Sequence, residues 1–474
     1  ACARRTIMPL RRLKPVAAFW ALIPLVSCSF SGFRIPLARV PSLSPRLTQS
    51  VPQIKLGNVQ QYTYVLPVGI GNQLFNLVFD TGSSDLWVAS HNCTNEDCRA
   101  VSLYDLSPTS VGTGLPFRLD YLTGQVSGQL IFDTVDLGPY SIQSQILAIA
   151  DRTADLGLES TSTSGILGMG LMGSASIPDT AGQPFPVNLV SPFPEDEQYF
   201  AFHLSRQSGS DDPQASFTVS SIDTDLVSDP SRITVFPVIQ TGRQYDYWKL
   251  CILHFTINGH PLSISSSRVP GAPCPMAVLD TGTTLFLGPS ADVDAIYRSL
   301  NISVRKDPDV GYQIPCTFAV LIGVVLGNPA QEYIIDPADM AWNGGSDDEW
   351  CTGGIQANDN VNSGDWLLGD VFLRNAYVVH YMRPPRIGLV GLTDPVASMK
   401  AFRVERGPAP DGEADSDVME SEEEDAWNST TAYVKRWQHR ASSETALMFG
   451  VFAGGAGFVM GGLSVVGWRA WRGV

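Results

Sequence analysis

The same short motif occurs twice in this chain, and its repetition is the feature that most constrains the fold. Asp80 lies in VFDTGSSDLWV, residues 78–88, and Asp280 lies in AVLDTGTTLFLGP, residues 277–289. In both copies the acid follows an apolar run and precedes Thr-Gly and a pair of hydroxyl residues. One copy alone is compatible with an ordinary Asp-Gly turn. Two copies predict two related lobes whose acids meet at a pseudo-twofold axis.

Composition and a second repeated element support a mainly β fold built from two lobes. The 474 residues include 43 glycines and 33 prolines, which separate many short apolar runs. An apolar-apolar-Gly element follows each motif, at residues 166–168 and at residues 367–369. We therefore expect an N-terminal β lobe over residues 58–238 and a C-terminal β lobe over residues 239–395. The segment ADVDAIYRSL is the strongest helix candidate, with Ser290 predicted as its N-cap.

The N-terminal region has the pattern of a secretory signal. Within residues 1–31, Met8 is the candidate start of a basic stretch, MPLRRLK, which is followed by the apolar run PVAAFWALIPLVSC and by small residues. A signal anchor is the alternative interpretation. The proline-bearing residues 32–57 that follow are predicted to be a short prosegment or an extended arm.

The C-terminal region changes composition and predicts a membrane anchor. Ten acidic residues between Glu405 and Asp425 contribute much of the net charge of −16, so residues 396–445 are expected to form an acidic flexible stalk. Residues 446–468 carry no charge and are long enough for a transmembrane helix, which leaves residues 469–474 as a short cytosolic tail. A glycolipid-anchor signal is the alternative. A nucleic-acid partner is not expected, because the chain lacks a basic face that could neutralise phosphates.

The cysteines and sequons fit an oxidising compartment. Six cysteines lie beyond the predicted signal, an even number that can form three disulfides. Their spacing does not match a zinc site, and the six histidines show no ligand pattern, so we expect no metal. Three glycosylation sequons begin at Asn92, Asn301 and Asn428. Together with the predicted termini, these features predict a single-pass type I membrane protein of the secretory pathway, with its body in the lumen or outside the cell.

Two carboxylates that meet at an axis can perform hydrolysis without a cofactor. At hydrogen-bond range both cannot ionise at low cost, so one keeps its proton while the other acts as a base. The ionised acid can take a proton from a water molecule that attacks a peptide carbonyl, and the protonated acid can stabilise the developing oxyanion. This chemistry needs neither a metal nor a covalent enzyme intermediate.

Five motifs give the chain a resemblance to a known family. The motifs, in chain order, are FDTGSSDLWV, FRLDYLTGQVSG, TSGILGMG, AVLDTGTTLFLGP and WLLGDVFLRNAYVVHY with RIGLVGL. In these motifs and in their order the chain resembles the pepsin-family aspartic proteases, of the cathepsin D and plasmepsin kind. The resemblance covers roughly residues 33–392. It implies a bilobal fold with a flap hairpin over a central cleft, and an endopeptidase that cleaves between bulky hydrophobic residues at acidic pH and is sensitive to pepstatin-type inhibitors. A catalytically silent relative that binds peptides or acts in surface adhesion is the alternative.

The resemblance also assigns roles to individual positions. Asp80 and Asp280 are implied to be the catalytic pair, with Ser83 and Thr283 bonded to their outer oxygens and with Thr81 and Thr281 bracing the two loops, beside Gly82 and Gly282. Tyr121 is implied to be the flap tyrosine, with Trp87 as its hydrogen-bonding partner and with Leu122, Thr123 and Gly124 completing the flap tip. Leu122 stands where pepsin has a glycine. The implied disulfides are Cys93–Cys98, Cys251–Cys274 and Cys316–Cys351, and RIPLAR, residues 34–39, resembles the start of a prosegment.

Overall fold

The computed structural model describes most of the body of the chain. The described residues are 32–41, 62–122, 124–206, 214–308, 310–342, 349–361 and 364–408. The predicted signal region, residues 42–57 of the predicted arm, most of the predicted stalk, the predicted membrane helix and the tail lie outside them. Within these ranges no helix has the length and apolar character needed to cross a bilayer.

The described part of the first half of the chain contributes twelve strands. They are β1 (Phe33–Pro36), β2 (Ala38–Pro41), β3 (Tyr62–Ile70), β4 (Gln73–Asp80), β5 (Leu86–Ala89), β6 (Val111–Asp120), β7 (Gln125–Leu137), β8 (Tyr140–Ala154), β9 (Gly165–Gly168), β10 (Tyr199–His203), β11 (Ser216–Val219) and β12 (Thr234–Pro237). Core-facing and outward residues alternate along several of them, β4 and β7 among them, as expected for strands with one buried face.

The second half supplies the remaining strands of the described part. They are β13 (Lys249–Ile257), β14 (His260–Ser263), β15 (Met276–Leu279), β16 (Phe286–Gly288), β17 (Arg305–Asp307), β18 (Gly311–Pro315), β19 (Ile322–Leu326), β20 (Gln331–Ile335), β21 (Ala341–Trp342), β22 (Trp350–Gly353), β23 (Ile355–Ala357), β24 (Trp366–Leu368), β25 (Ala376–Met382) and β26 (Pro385–Gly391).

Helices are short and few in the described ranges, as the composition predicts. They are α1 (Leu158–Thr161), α2 (Phe185–Val190), α3 (Ser290–Ser299), α4 (Pro337–Met340), α5 (Asp370–Leu373) and α6 (Pro395–Arg406). The predicted helix is α3, but its N-cap position is occupied by Pro289 rather than by Ser290. The Ser290 hydroxyl instead donates to Asp359 Oδ2 at 2.6 Å, which explains why it does not cap the helix.

The internal repeat is visible in the sheets. One eight-stranded sheet has the order β2-β3-β4-β9-β5-β8-β7-β6, and a second contains the run β13-β15-β24-β16-β23. In the first, β9 lies between β4, to which it is parallel, and β5, to which it is antiparallel. In the second, β24 lies in the same way between β15 and β16. The units β4-β9-β5 and β15-β24-β16 therefore have the same arrangement, and each copy of the Asp-Thr-Gly motif lies at the end of the first strand of its unit.

A six-stranded sheet joins the two halves. Its order is β1-β11-β10-β25-β26-β12, so two strands of the second half, β25 and β26, lie between strands of the first half. Its aromatic core packs Phe200, Phe202, Trp248 and His380 together, all of them fully buried. The Trp248 indole N–H donates to the Met169 carbonyl, and the Met169 N–H donates to the Asp80 carbonyl, so this core is connected to the first Asp-Thr-Gly loop.

The ends of the described body hold more structure than the sequence predicted. In the predicted arm, β1 pairs with β11 and β2 pairs with β3, and Ile35 and Leu37 are buried in the core. At the other end, the predicted flexible stalk starts at residue 396, whereas helix α6 continues to Arg406 and buries Phe402. The N-cap Asp394 accepts hydrogen bonds from the N–H groups of Val396 and Ala397, which fixes the start of α6.

Three disulfide bonds crosslink the body. Cys93 is bonded to Cys98 in the first half, while the pairs Cys251–Cys274 and Cys316–Cys351 lie in the second half. Each bond joins cysteines that belong to the same half, so the contact between the halves relies on the six-stranded sheet and on hydrogen bonds at the two Asp-Thr-Gly loops.

Candidate active site

The two acids of the repeated motif lie side by side. Asp80 ends β4 and Asp280 directly follows β15, and both carboxyl groups are buried. A Cβ atom at Gly82 would overlap the Asp280 carboxyl group, and one at Gly282 would overlap the Asp80 carboxyl group. Only glycine leaves room for the opposing acid at these two positions. The glycines of the motif therefore allow the two carboxyl groups to approach each other.

Each acid receives the same pair of hydrogen bonds. The Gly82 N–H donates to Asp80 Oδ1 and the Gly282 N–H donates to Asp280 Oδ1, both at 2.8 Å. The Ser83 hydroxyl donates to Asp80 Oδ2, and the Thr283 hydroxyl donates to Asp280 Oδ2 at 2.7 Å. The donors fix both carboxyl planes, and the hydrogen bonds from Ser83 and Gly82 favour the ionised form of Asp80.

A reciprocal brace joins the two loops. The Thr81 N–H donates to Thr281 Oγ1 at 3.0 Å, and the Thr281 N–H donates to Thr81 Oγ1 at 3.1 Å. Each hydroxyl also donates across the interface, Thr81 to the Leu279 carbonyl at 3.0 Å and Thr281 to the Phe79 carbonyl at 2.6 Å. All of these groups are buried, so the brace forms without competition from water.

The shared environment makes the pair hold a proton. Burial, and next the negative charge of Asp280, raise the pKa of Asp80 well above its ordinary range, while the hydrogen bonds from Ser83 and Gly82 act in the opposite direction. Two neighbouring buried carboxyl groups cannot both be charged without a large free-energy cost. The pair therefore offers one general base and one general acid at the same place.

A hairpin made by β6 and β7 carries the predicted flap residues. Tyr121 directly follows β6, and its N–H donates to the Gly124 carbonyl at 2.7 Å, which closes the turn. The Trp87 indole N–H donates to the Tyr121 hydroxyl at 2.8 Å. Leu122, at the tip, is 51% exposed, and Thr123 lies outside the described residues.

The tyrosine of the hairpin lies close to the acids. Burial, and next the charge of Asp80, raise the pKa of Tyr121, whereas the hydrogen bond from Trp87 lowers it. The structure thus brings Tyr121 of the hairpin close to Asp80, where it is bonded to Trp87 of β5. An uncharged Tyr121 hydroxyl is retained over the whole pH range in which such acids can share a proton.

Sequence reasoning missed several residues around the site. The Ser84 hydroxyl donates to the Leu171 carbonyl at 2.6 Å, and the Trp248 indole N–H donates to the Met169 carbonyl at 3.0 Å. The Met169 N–H in turn donates to the Asp80 carbonyl at 2.7 Å. These contacts come from segments distant in the chain and follow no local pattern. The aromatic cluster around Trp248 in QYDYWKL is the sequence feature that could have drawn attention to this residue.

Comparison with known proteins agrees with this geometry. The family profile described as eukaryotic aspartyl protease matches residues 61–392. Major aspartyl peptidase 1 of Cryptococcus neoformans is 29% identical over 366 residues, which cover 73% of this chain and 72% of that protein. Pepsin A of Sus scrofa is 29% identical, with 70% of this chain and 82% of that protein covered. Cathepsin D of Dictyostelium discoideum is also 29% identical, with 69% and 82% covered.

The profile match spans more than half of the chain and includes both Asp-Thr-Gly loops and the hairpin. The chain therefore belongs to the eukaryotic aspartyl protease family, and it is an aspartic-type endopeptidase with a mainly β, pepsin-like fold.

Proposed function

We propose that Asp80 and Asp280 are the catalytic pair of this endopeptidase. The observation that carries the proposal is the matched set of hydrogen bonds on the two acids, from Gly82 and Ser83 on one side and from Gly282 and Thr283 on the other. Because the two acids are hydrogen-bonded in the same way, the carboxyl group of either acid can hold the proton that they share. The Thr81 and Thr281 brace keeps the two loops at a fixed separation.

The reaction follows from that arrangement. The ionised acid removes a proton from a water molecule as its oxygen attacks the carbonyl carbon of the scissile peptide bond. The protonated acid donates a hydrogen bond to the carbonyl oxygen, which gains the negative charge. Collapse of the tetrahedral intermediate breaks the C–N bond, and the leaving nitrogen takes a proton from the pair. The acids return to their initial protonation state.

The flap residues suit peptides with bulky apolar side chains. Tyr121 is held by Trp87 above the acids, and the exposed Leu122 presents an apolar surface at the hairpin tip. Together with Thr123 and Gly124 they form the flap that closes over a bound peptide. Because the pair must keep one proton, cleavage is expected to be best at acidic pH and to be inhibited by pepstatin-type compounds.

The rest of the chain places this activity in the secretory pathway. The sequon residues Asn92 and Asn301 are exposed on the body and accessible to glycosylation, and Asn428 lies in the acidic stalk, outside the described residues. Residues 446–468 anchor the protein as a single-pass type I membrane protein with its lobes, residues 58–238 and 239–395, in the lumen or outside the cell. Residues 32–57 act as a short prosegment.

The test is peptide cleavage by the purified chain. A library of peptides is incubated with the protein from roughly pH 3 to pH 8, with and without pepstatin. The expected result is acid-favoured cleavage between bulky apolar residues that pepstatin abolishes and that Asp80→Asn lacks. Asp225→Asn serves as a matched control, because this acid is 83% exposed and belongs to neither Asp-Thr-Gly loop. Equal cleavage by Asp80→Asn and by the control rules out the catalytic assignment.

A further inference from the structure

An aromatic side chain lies beside the second acid without having been identified from the sequence. Strand β13 pairs with β15 so that Lys249 is opposite Val278, and the Leu279 N–H donates to the Trp248 carbonyl at 3.0 Å. Tyr247 directly precedes Trp248 and Asp280 directly follows Leu279, so this hydrogen bond brings Tyr247 close to Asp280. Tyr247 is only partly buried, so part of its ring remains accessible at the site.

The buried ammonium group of Lys249 packs against the ring of Tyr247. The Lys249 side chain is 2% exposed, and its Nζ donates to Asp246 Oδ2 at 2.7 Å and to Thr241 Oγ1 at 3.0 Å. The same Nζ lies 5.5 Å from the centroid of the Tyr247 ring, within the range of a cation–π contact. A charged lysine is rarely buried unless it is paired, so the Asp246–Lys249 ion pair is a specific feature of this segment.

The ion pair holds Tyr247 from two directions. Asp246 Oδ1 accepts the Tyr247 N–H at 2.9 Å, which fixes the backbone at this residue. Tyr247 lies in a bend just before β13, and the Lys249 ammonium packs against its ring there. The backbone and the ring of Tyr247 therefore both depend on the same ion pair.

The segment is also attached to the other half of the chain. The Gly173 N–H donates to the Tyr245 carbonyl at 2.9 Å, and the Ser174 hydroxyl donates to the Asp246 carbonyl at 2.7 Å. Ser174 in turn lies 2.6 Å from the hydroxyl of Ser84, which follows the first catalytic loop. A continuous chain of polar contacts thus runs from the loop of Asp80 to the segment beside Asp280.

The electrostatic environment of Tyr247 agrees with this position. Burial is the largest factor that raises the pKa of Tyr247, followed by the charges of Asp246, Asp280 and Asp80. The two acids of the catalytic pair are therefore both near the phenol, and the ring stays uncharged while the enzyme works.

We propose that Asp246 and Lys249 are positioning residues, which hold Tyr247 as the C-terminal-lobe wall of the cleft, where it selects a bulky apolar or aromatic side chain next to the scissile bond. The inference rests on the proposed peptide-cleaving function and adds a determinant of its specificity. Because Lys249 is buried, it acts through Tyr247 and not by touching the peptide.

The test measures peptide binding separately from cleavage. In an Asp80→Asn background, the Kd of a fluorescent octapeptide with phenylalanine on both sides of its central bond is compared with that of peptides carrying alanine on either side. Lys249→Met is expected to weaken binding of the phenylalanine peptide about tenfold, since a desolvated cation–π contact and the backbone order are lost. Preference for phenylalanine over alanine should fall on one side of the bond only.

A double-mutant cycle separates positioning from general damage. Tyr247→Ala should weaken binding as much as Lys249→Met, and the two changes together should be no worse than Tyr247→Ala alone. Lys249→Arg should restore most of the affinity. Additive effects, or an unchanged Kd and unchanged preference in Lys249→Met, overturn the proposal.

Two controls keep the outcome decisive. If Lys249→Met does not fold, Asp246→Asn replaces it, because the amide oxygen can still accept the Tyr247 N–H while the ion pair is lost; an unchanged Kd there also overturns the proposal. Cleavage by the chain with an intact Asp80 is assayed in parallel. If the chain does not cleave peptides but the binding losses of Tyr247→Ala and Lys249→Met are non-additive, the catalytic proposal alone is contradicted. If the chain cleaves peptides but the two binding losses are additive, the positioning proposal alone is contradicted.

Discussion

Thr81 and Thr281 exchange backbone-to-side-chain hydrogen bonds across the contact between the two lobes, at 3.0 Å and 3.1 Å. They are 200 residues apart in the chain, and both are almost fully buried. Each threonine directly follows one of the two paired acids, so this exchange helps to set the distance between them.

Replacing Thr281 with valine should loosen the pair. The change removes the acceptor of the Thr81 N–H and the donor to the Phe79 carbonyl, and a buried group left without a partner costs about 1–3 kcal/mol. We expect a comparable loss in the free energy of unfolding, measured in urea, together with a lower kcat. Thr281→Ser keeps the hydroxyl and should behave nearly as the parent chain. Equal stability and kcat in the valine and serine variants would contradict this role.

The raised pKa of Asp80 predicts how stability depends on pH. Because this pKa is higher in the folded than in the unfolded chain, its contribution to the free energy of unfolding is full below the ordinary carboxyl pKa and is lost as pH rises through the raised value. Asp80→Asn should remove that loss. Urea unfolding at a series of pH values measures both chains, and parallel pH profiles would contradict the assignment.

The hydrogen bond from Ser83 predicts a shift in the activity profile. The Ser83 hydroxyl favours ionised Asp80, so Ser83→Ala should raise the pKa of the pair and move the alkaline limb of kcat/KM to higher pH. The profile is recorded with one peptide substrate for both chains. A limb that moves to lower pH shows that Ser83 does not act on the shared proton.

The contact between Trp87 and Tyr121 predicts coupled kinetic effects at the flap. Trp87→Phe removes the indole N–H and Tyr121→Phe removes the phenol oxygen, so each should lower kcat/KM about fivefold, which corresponds to one hydrogen bond. Both changes together should cost little more than one. Trp87 is fully buried, so urea unfolding of each variant is measured to separate lost packing from lost positioning. Fully additive losses argue against a shared contact.

His380 sets a limit to acid stability. Its ring is fully buried among Phe200, Phe202 and Trp248, neither ring nitrogen has a hydrogen-bond partner, and burial lowers its pKa to about 3. In the unfolded chain the same histidine takes up a proton near its ordinary pKa. The folded state is therefore destabilised as pH falls from that ordinary pKa towards the lowered pKa of the buried ring.

Replacing His380 with phenylalanine should remove this cost. At each pH the free energy of unfolding of the variant is compared with that of the parent chain. This difference is expected to favour the variant by on the order of 3 kcal/mol more at about pH 4 than at neutral pH. Thermal and urea unfolding at both pH values provide the measurement. A stability difference that does not change with pH would show that His380 is not buried in its neutral form.

The sequence predicted the parts of the site that local motifs encode. The two Asp-Thr-Gly copies identified the acids because strand, turn and hydroxyl residues all lie within a few positions of each other. The mainly β composition followed from the density of turn residues between short apolar runs. The family membership then followed from motif order, and the profile match over residues 61–392 confirms it.

Long-range contacts were beyond local patterns. The position of Tyr247 close to Asp280 depends on the backbone contact between Trp248 and Leu279, which are distant in the chain and which no local pattern predicts. Helix α6 was assigned to a stalk because acids dominate the segment that follows, although burial of Phe402 fixes the helix to the body. The Ser290 cap was wrong because Asp359, distant in sequence, engages its hydroxyl.

The most direct test of the account is a cycle on the two acids. kcat/KM for one peptide is measured at acidic pH for the parent chain, Asp80→Asn, Asp280→Asn and the double variant. If the acids act as one unit, each single change should remove nearly all activity, and the double variant should be no worse than either. Substantial activity in either single variant, or losses that multiply in the double variant, would contradict a single site shared by the two lobes.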